Sequence, residues 1–171
     1  MLLGRDEWRR VFDRFERSAF RLELQQTYTM PTEQDGLRRF LAGEPKPDDH
    51  NSAWHERIRG YVGAGKVVQR AKVVQLPLTE YLRYQWSWSI PENVAAGEDY
   101  RVVDTTGKNL DLPPYDFWMF DELVVVHLNY RSDGTQISRE LVENPNIEKY
   151  LKWRDIALEN GVPFSEWNAR A

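Results

Sequence analysis

Five charged residues are the best candidates for a binding site in this sequence. Asp116 and Asp121 flank the apolar stretch Phe-Trp-Met-Phe, and Glu98 stands just before a short apolar segment. Side chains near the ends of strands in an α/β sheet tend to meet at the crevice where ligands bind. The sequence therefore predicts a charged, ligand-binding pocket formed by Arg70, Arg83, Glu98, Asp116 and Asp121. The alternative, and the more frequent outcome for such groups, is a set of structural ion pairs and turn contacts.

No set of residues shows the spacing of a known catalytic or metal site. The chain has no cysteine, which excludes thiolate nucleophiles, disulfides and zinc ribbons. The three histidines, His50, His55 and His127, are not spaced to place a pair on one face of a helix. No serine lies in a Gly-x-Ser-x-Gly turn of the kind that serine hydrolases use. We therefore expect no catalytic residue, no metal ion and no cofactor.

A cluster of aromatic residues near the middle of the chain is the second candidate site. On a helix, Tyr81, Tyr84 and Trp88 lie on one side, whereas Leu82 and Trp86 lie on another. Both sides cannot easily be buried against a single sheet, so one side is expected either to be exposed or to contact the polar loop at residues 43–52. Because exposed tryptophan and tyrosine often anchor protein interfaces, we predict that Tyr81, Tyr84 and Trp88 bind a protein partner or form a homodimer.

Length and charge limit the class of protein. A chain of 171 residues is expected to form a single domain over 1–171 and to bury a sizeable core. The net charge of −4 argues against non-specific binding to nucleic acid, which depends on neutralising phosphates. No leader is visible at the start, and the apolar runs are too short to span a bilayer. We expect a cytoplasmic protein without membrane contact.

Hydrophobic patterning predicts a mixed sheet. The most β-branched segment lies between Asp116 and Tyr130, and a turn at 131–134 leads from it into a third short strand. These strands predict an antiparallel meander at the centre of the sheet. Residues 66–76 and 100–105 read as strands joined by a helix, which predicts a parallel βαβ unit.

Two further strand and helix signals complete the predicted fold. Phe20 to Tyr28 alternate between apolar and polar residues, which predicts a half-buried strand. Asn144 is expected to cap a last helix that has Pro145 at its first position. The predicted fold class is α/β, with one mixed sheet of about five or six strands covered by helices. The alternative is an α+β fold dominated by the meander.

Several phrases together resemble an uncharacterised family of domains. They are SAFRLELQQTY, NVAAGEDYRVV and DFWMFD, and the similarity extends from Trp8 to Trp167. The sequence resembles an actinobacterial domain family of unknown function that is often encoded beside helix-turn-helix regulators. This resemblance implies a cytoplasmic, regulatory protein with a protein partner.

A weaker similarity of pattern is to half of a phospholipase D-like domain. That superfamily requires a His-x-Lys pair followed by aspartate, in which histidine attacks phosphorus and lysine holds the phosphate oxygens. Here His127 is followed by Asn129 instead of lysine, and Asp133 is one position short of the required offset. If the fold is related, the resemblance implies a degenerate domain that binds phosphodiesters without cleaving them.

Three functions follow, in order of preference. The first is a non-catalytic regulatory or protein-binding domain that acts with a transcriptional regulator. The second is the degenerate phosphodiester-binding domain, and the third is a nucleic-acid-binding module. The last has little support, because its basic residues are limited to Arg70, Lys72, Arg83 and Arg101.

Overall fold

One seven-stranded mixed sheet forms the centre of the computed structural model, which describes residues 1–170. The strand order is β6-β5-β4-β1-β2-β3-β7. The strands are β1 Ser18–Glu23, β2 Val67–Val74, β3 Asp99–Asp104, β4 Asp116–Phe120, β5 Val124–Tyr130, β6 Gln136–Leu141 and β7 Val162–Pro163. Strands β1, β2 and β3 are parallel, and the remaining neighbours pair antiparallel.

Seven α-helices and one 3-10 helix connect these strands. They are α1 Arg5–Arg14, the 3-10 helix Pro31–Glu33, α2 Gln34–Leu41, α3 Ser52–Gly63, α4 Glu80–Trp88, α5 Ile90–Ala95, α6 Ile147–Glu159 and α7 Phe164–Arg170. The longest, α6, has 13 residues. Within residues 1–170, no helix combines the length and the apolar character needed to cross a membrane.

The predicted fold class is confirmed, because β2, α4, α5 and β3 form the parallel βαβ unit and β4 to β6 form the antiparallel meander. Two details were wrong. The sheet has seven strands instead of about five or six, because β7 has only two residues and leaves no periodicity to read. The meander is not central either, since β1 is the middle strand and β6 lies at the edge.

One face of the sheet packs against α6. Alternate residues of β1 and β4, such as Phe20 and Phe117, meet Tyr150 and Trp153 from that helix in one apolar cluster. Most of this cluster is fully buried, which explains why the β4–β5 segment is so apolar. The α6 face is therefore the ordinary hydrophobic core.

The opposite face carries two separate apolar clusters. Phe12 of α1 packs on Trp118 and Phe120, with ring centres 5.1 Å apart in both pairs. Leu82 of α4 packs with Val102 in the other cluster. Between these clusters the strands present charged side chains, and this polar interruption positions the candidate site.

Candidate functional site

A cavity of about 200 Å³ lies between the two apolar clusters. Four of its lining residues come from the adjacent strands β1 and β2: Arg21, Glu23, Arg70 and Lys72. The parallel register places Arg21 beside Arg70 and Glu23 beside Lys72. Because side chains two residues apart on a strand share a face, all four converge on the same space.

The charged residues form a network of ion pairs. Arg70 donates from Nε to Glu98 Oε1 at 2.6 Å and from Nη1 to Glu23. Arg21 Nη2 lies 3.3 Å from Asp116 Oδ2, and Arg21 Nε lies 3.3 Å from Glu23 Oε1. Each guanidinium thus joins two carboxylates. This is the arrangement that buried charges require, because an unpaired ion is costly away from water.

Asp116 anchors one end of the network. Its carboxylate is 1 % exposed and accepts hydrogen bonds from the Leu24 backbone N–H at 2.9 Å, from Arg21 and from the Tyr28 hydroxyl. Burial raises the pKa of Asp116, while the charge of Arg21 and the Tyr28 hydrogen bond act in the opposite direction. The residue thus ties the start of β4 to the segment that follows β1.

Lys72 and Glu23 lie at the centre and are shifted in pKa. Burial lowers the pKa of Lys72 to about 8, although the charge of Glu23 opposes the shift. Burial opposes ionisation of Glu23, but Arg70, Arg21 and Lys72 outweigh it and lower its pKa to about 2. Lys72 Nζ donates to the Gln25 carbonyl and lies 4.7 Å from the centre of the Tyr28 ring. Such shifted groups beside a cavity mark a candidate functional site.

The Lys72 shift predicts an alkaline rise in stability. The pKa of Lys72 is about 8 in the folded state and 10.5 as its ordinary value, so the unfolded state holds more protons between these limits. Stability should therefore rise with pH there, by about 1.5 kcal/mol from pH 8 to 9.5. Above about pH 10 the tyrosines begin to ionise and Tyr28, whose pKa burial raises, reverses the slope.

Urea unfolding at several pH values checks this prediction, with Lys72→Met as the comparison. Methionine keeps the length of the side chain without the titrating amine. The rise between pH 8 and 9.5 should disappear in the variant. Equal slopes in the two proteins would show that Lys72 does not titrate in this window.

The structure brings together three of the five residues predicted to form the pocket. Arg70 lines the cavity. Glu98 pairs with Arg70 and Asp116 pairs with Arg21, and neither carboxylate lines the cavity itself. Arg83 is exposed on α4 and donates to the Leu78 carbonyl at 3.3 Å. Asp121 lies in the β4–β5 turn, away from the other four.

Asp121 has a structural role at that turn. It has a φ of 53°, and its carboxylate accepts the backbone N–H groups of Glu16, Arg17 and Ser18 at 2.8, 2.6 and 2.9 Å. These bonds fasten the chain between α1 and β1 to the turn. Asp121 also lines a separate cavity of about 350 Å³ beside α1. A ligand-binding role for Arg83 and Asp121 stays a prediction.

The aromatic residues of α4 are buried instead of exposed. Tyr81, Tyr84 and Trp88 are 6 %, 1 % and 6 % exposed. Phe40 from α2 contacts both Tyr84 and Trp88, with ring centres 5.8 Å apart in each case. Neither side is exposed, because α2 adds a second layer that the sheet alone does not provide. The other expectation, a contact with the polar loop, is confirmed, since the centre of the His50 ring lies 5.8 Å from that of Tyr84 and 5.3 Å from that of Trp88. Partner binding through these residues stays a prediction.

Sequence reasoning missed Arg21, Glu23, Lys72 and Tyr28. The polar residues of β1 alternate with Phe20 and Leu22, so they were interpreted as facing solvent. A signal is present in β2, where a pair of valines on each side of Arg70 indicates burial on both faces. Burial on both faces requires Arg70 and Lys72, which stand between those valines, to be buried and paired.

The histidines lie away from the cavity network. His127 is on the α6 side, where Nε2 is 2.7 Å from the Tyr150 hydroxyl and the ring stacks on Tyr115. His50 Nε2 is 2.9 Å from the Ser89 hydroxyl. Among residues 1–170, no group of three or more His, Cys, Asp or Glu side chains is arranged to hold a metal ion.

A comparison with protein families identifies the chain. The model described as "Domain of unknown function (DUF6879)" matches residues 6–169, so the chain belongs to this family. The expected membership of an uncharacterised domain family is thereby confirmed. A comparison with curated proteins finds no match.

Proposed function

We propose that this member of the DUF6879 family is a single, non-catalytic regulatory domain that acts by binding. The observation that carries the proposal is the closed charge network at the cavity. Arg70 is paired with Glu23 and Glu98, and Arg21 is paired with Glu23 and Asp116. A general base needs a pKa near the working pH, and the cations around Glu23 lower its pKa to about 2, which makes it a weak base.

Lys72 supports the same reading. A lysine with a lowered pKa is a possible nucleophile, but Nζ is bonded to the Gln25 carbonyl and the side chain is 1 % exposed. The cavity thus offers a fixed pattern of charge instead of a reactive group. Such a pattern suits recognition of a small polar ligand whose charges complement the network.

A protein partner is the second part of the proposal. The family resemblance implies a helix-turn-helix regulator, encoded nearby and sharing the cytoplasm. Strand β6, the edge of the meander, supports a protein contact, because it is an outer strand of the sheet and its residue Ile137 is 58 % exposed. Residues 1–3 form backbone hydrogen bonds with the second half of β6. Ile137 lies in the first half, which these residues do not cover. An edge strand whose backbone is free to pair is a common site of protein association.

Ile137→Arg is expected to abolish co-purification with the helix-turn-helix protein encoded beside this chain. A charge in a desolvated interface remains unpaired and opposes binding. Leu41→Arg is the matched control, since Leu41 is 50 % exposed on α2, a different element from the meander edge. Tagged proteins expressed with the regulator are compared by affinity capture and quantitative mass spectrometry.

The amount of regulator captured with Leu41→Arg should equal the amount captured with the unaltered chain. Equal loss in both variants, or no complex with the regulator at all, would contradict the proposed partner surface. Ultracentrifugation of the chain alone tests the alternative of a homodimer, which would show concentration-dependent mass that Ile137→Arg removes.

The degenerate phosphodiester-binding alternative gains no support from the cavity. His127, the residue nearest to the phospholipase D pattern, lies on the α6 side with Tyr150. Glu23, Glu98 and Asp116 already pair with Arg21 and Arg70, so these two guanidinium groups have little charge left to bind a phosphodiester. We therefore keep the regulatory binding domain as the proposed function.

A further inference from the structure

A second cavity adjoins the first and differs from it in charge. It has a volume of about 410 Å³ and shares Trp8, Arg21, Arg70 and Arg139 with the first cavity. We call it the arginine groove. It is lined by ten residues. Six of these are arginines and three are tryptophans, and none of them is acidic.

Most of the groove's positive charge is not neutralised within the described chain. Only Arg21 and Arg70 belong to the buried ion-pair network. Arg57 has a distant carboxylate, Asp13, at 3.9 Å. In residues 1–170, no ion pair involves Arg5, Arg9 or Arg139. A local positive field on a chain with a net charge of −4 indicates an anionic ligand.

The Arg139 guanidinium reflects this field. Burial lowers the pKa of Arg139, Tyr130 acts in the opposite direction, and the nearby charge of Arg21 lowers the pKa further. An anion bound among these guanidinium groups would relieve both effects, because it would supply the missing counter-charge.

Trp118 is the second, independent sign of a ligand. Its side chain is buried at 2 % exposure, and its Nε1–H has no hydrogen-bond partner in the described residues. The guanidinium carbons of Arg21 and Arg70 lie 5.7 and 5.8 Å from the centre of its ring. A buried donor without a partner is costly, so a ligand acceptor at this position would stabilise the site.

The other two tryptophans also lie beside arginines. Arg139 is 5.4 Å from the centre of the Trp8 ring, and Arg57 is 5.8 Å from that of Trp54. Guanidinium planes and aromatic rings both stack on flat aromatic groups, and guanidinium groups also bind phosphate through paired hydrogen bonds. The groove thus combines the two chemistries that a nucleotide presents.

We propose that the arginine groove binds a phosphorylated aromatic small molecule of the mononucleotide class, with its phosphate among the exposed arginines and its ring against tryptophan. The volume falls in the range of small-molecule sites. A single mononucleotide is favoured over a polymer because a net negative chain would repel phosphates beyond the groove. The proposal rests on the proposed function, since it names the ligand class of a domain that binds without reacting.

Isothermal titration of the full chain with 5′-AMP and with 5′-GMP tests the site. Arg9 and Arg57 are exposed and outside the buried network, so Arg9→Ala and Arg57→Ala should leave the fold intact. Each is expected to weaken mononucleotide binding about tenfold or more, as loss of a charge-assisted contact requires. Arg38→Ala is the control, because it removes an exposed arginine that lies outside the groove and pairs with Asp35 on α2.

Three results would overturn the proposal. They are unchanged affinity in both groove variants, inorganic phosphate binding as tightly as the mononucleotides, and a single-stranded oligonucleotide binding more tightly than either. Incubation with the nucleotide followed by chromatography separates the two proposals. Turnover of the nucleotide would contradict the non-catalytic function and leave the groove assignment in place. If the unaltered chain neither bound nor converted the nucleotide, the groove assignment would be wrong and the non-catalytic function would stand.

Discussion

Replacing Arg70 by methionine is expected to lower the free energy of unfolding by about 3 to 5 kcal/mol. The guanidinium is bonded to both Glu23 and Glu98, whose side chains are 10 % and 0 % exposed. Methionine would fill much of the same space but leave two buried carboxylates without their cation. Removing one partner of a buried network is costly because the remaining charges lose their compensation.

Urea unfolding followed by circular dichroism measures this loss. Arg83→Met is the matched control, since Arg83 is exposed on α4 and lies outside the network. Its effect should stay within about 0.5 kcal/mol. A loss below about 1 kcal/mol in Arg70→Met would mean that the network contributes little and that water reaches these carboxylates.

Trp88→Ala should be a folding mutation instead of a binding mutation. The ring is 6 % exposed and contacts Phe40, Tyr84 and His50 at centre-to-centre distances of 5.8, 5.7 and 5.3 Å. Truncating a buried tryptophan removes apolar contacts and leaves a cavity, which costs about 3 to 5 kcal/mol. The melting temperature measured by circular dichroism should fall by roughly 10 °C or more for a chain of this size.

Leu41→Ala gives the control for this prediction, because Leu41 belongs to α2 but is 50 % exposed. It should leave the melting temperature almost unchanged. An unchanged melting temperature together with loss of a partner would contradict the burial of Trp88. That result would support the predicted interface instead.

The fold could be predicted from the sequence where apolar residues run for the length of a strand. The βαβ unit and the meander followed from apolar runs of strand length and from the turn at 131–134. The central position of β1 could not be predicted, because Arg21 and Glu23 alternate with apolar residues and make this strand look half exposed. Only the helices that cover this face make its polar side internal, and their packing is a tertiary effect.

The last helix shows the same limit at a boundary. The sequence offered Asn144 as the cap and Pro145 as the first helical residue. In the structure Asn146 accepts the Lys149 backbone N–H at 3.3 Å, and the helix begins at Ile147. Asn144 has a φ of 48° and belongs to the preceding turn. Two asparagines flank one proline, so residue type alone does not distinguish them.

The site was partly readable for a related reason. Glu98 and Asp116 stand at strand ends and Arg70 stands inside a strand, which places all three near one face of the sheet. Arg83 and Asp121 are also an arginine and an aspartate, but Arg83 lies on α4 and Asp121 in the β4–β5 turn, where each contacts other parts of the chain. Sequence position along a strand predicts convergence, whereas helix and turn residues require the three-dimensional packing.

The buried charged network lies between two apolar clusters, and stability alone does not explain why charged residues occupy this place. Well-packed apolar residues in the same place are often at least as stable as buried ion pairs. A chain that keeps Arg21, Glu23, Arg70, Lys72 and Asp116 in its interior therefore holds charge where stability does not require it. Such departures from the simplest packing concentrate at binding sites.

A double-mutant cycle on Arg70 and Glu98 tests the closed network most directly. The free energies of unfolding of Arg70→Met, Glu98→Gln and the double variant are compared with that of the unaltered chain. The two residues are joined by a 2.6 Å hydrogen bond inside the protein, so the double variant should be more stable than the sum of the two losses predicts. We expect a coupling energy of about 1 to 3 kcal/mol. Losses that add within about 0.5 kcal/mol would contradict a closed network of paired charges at this cavity.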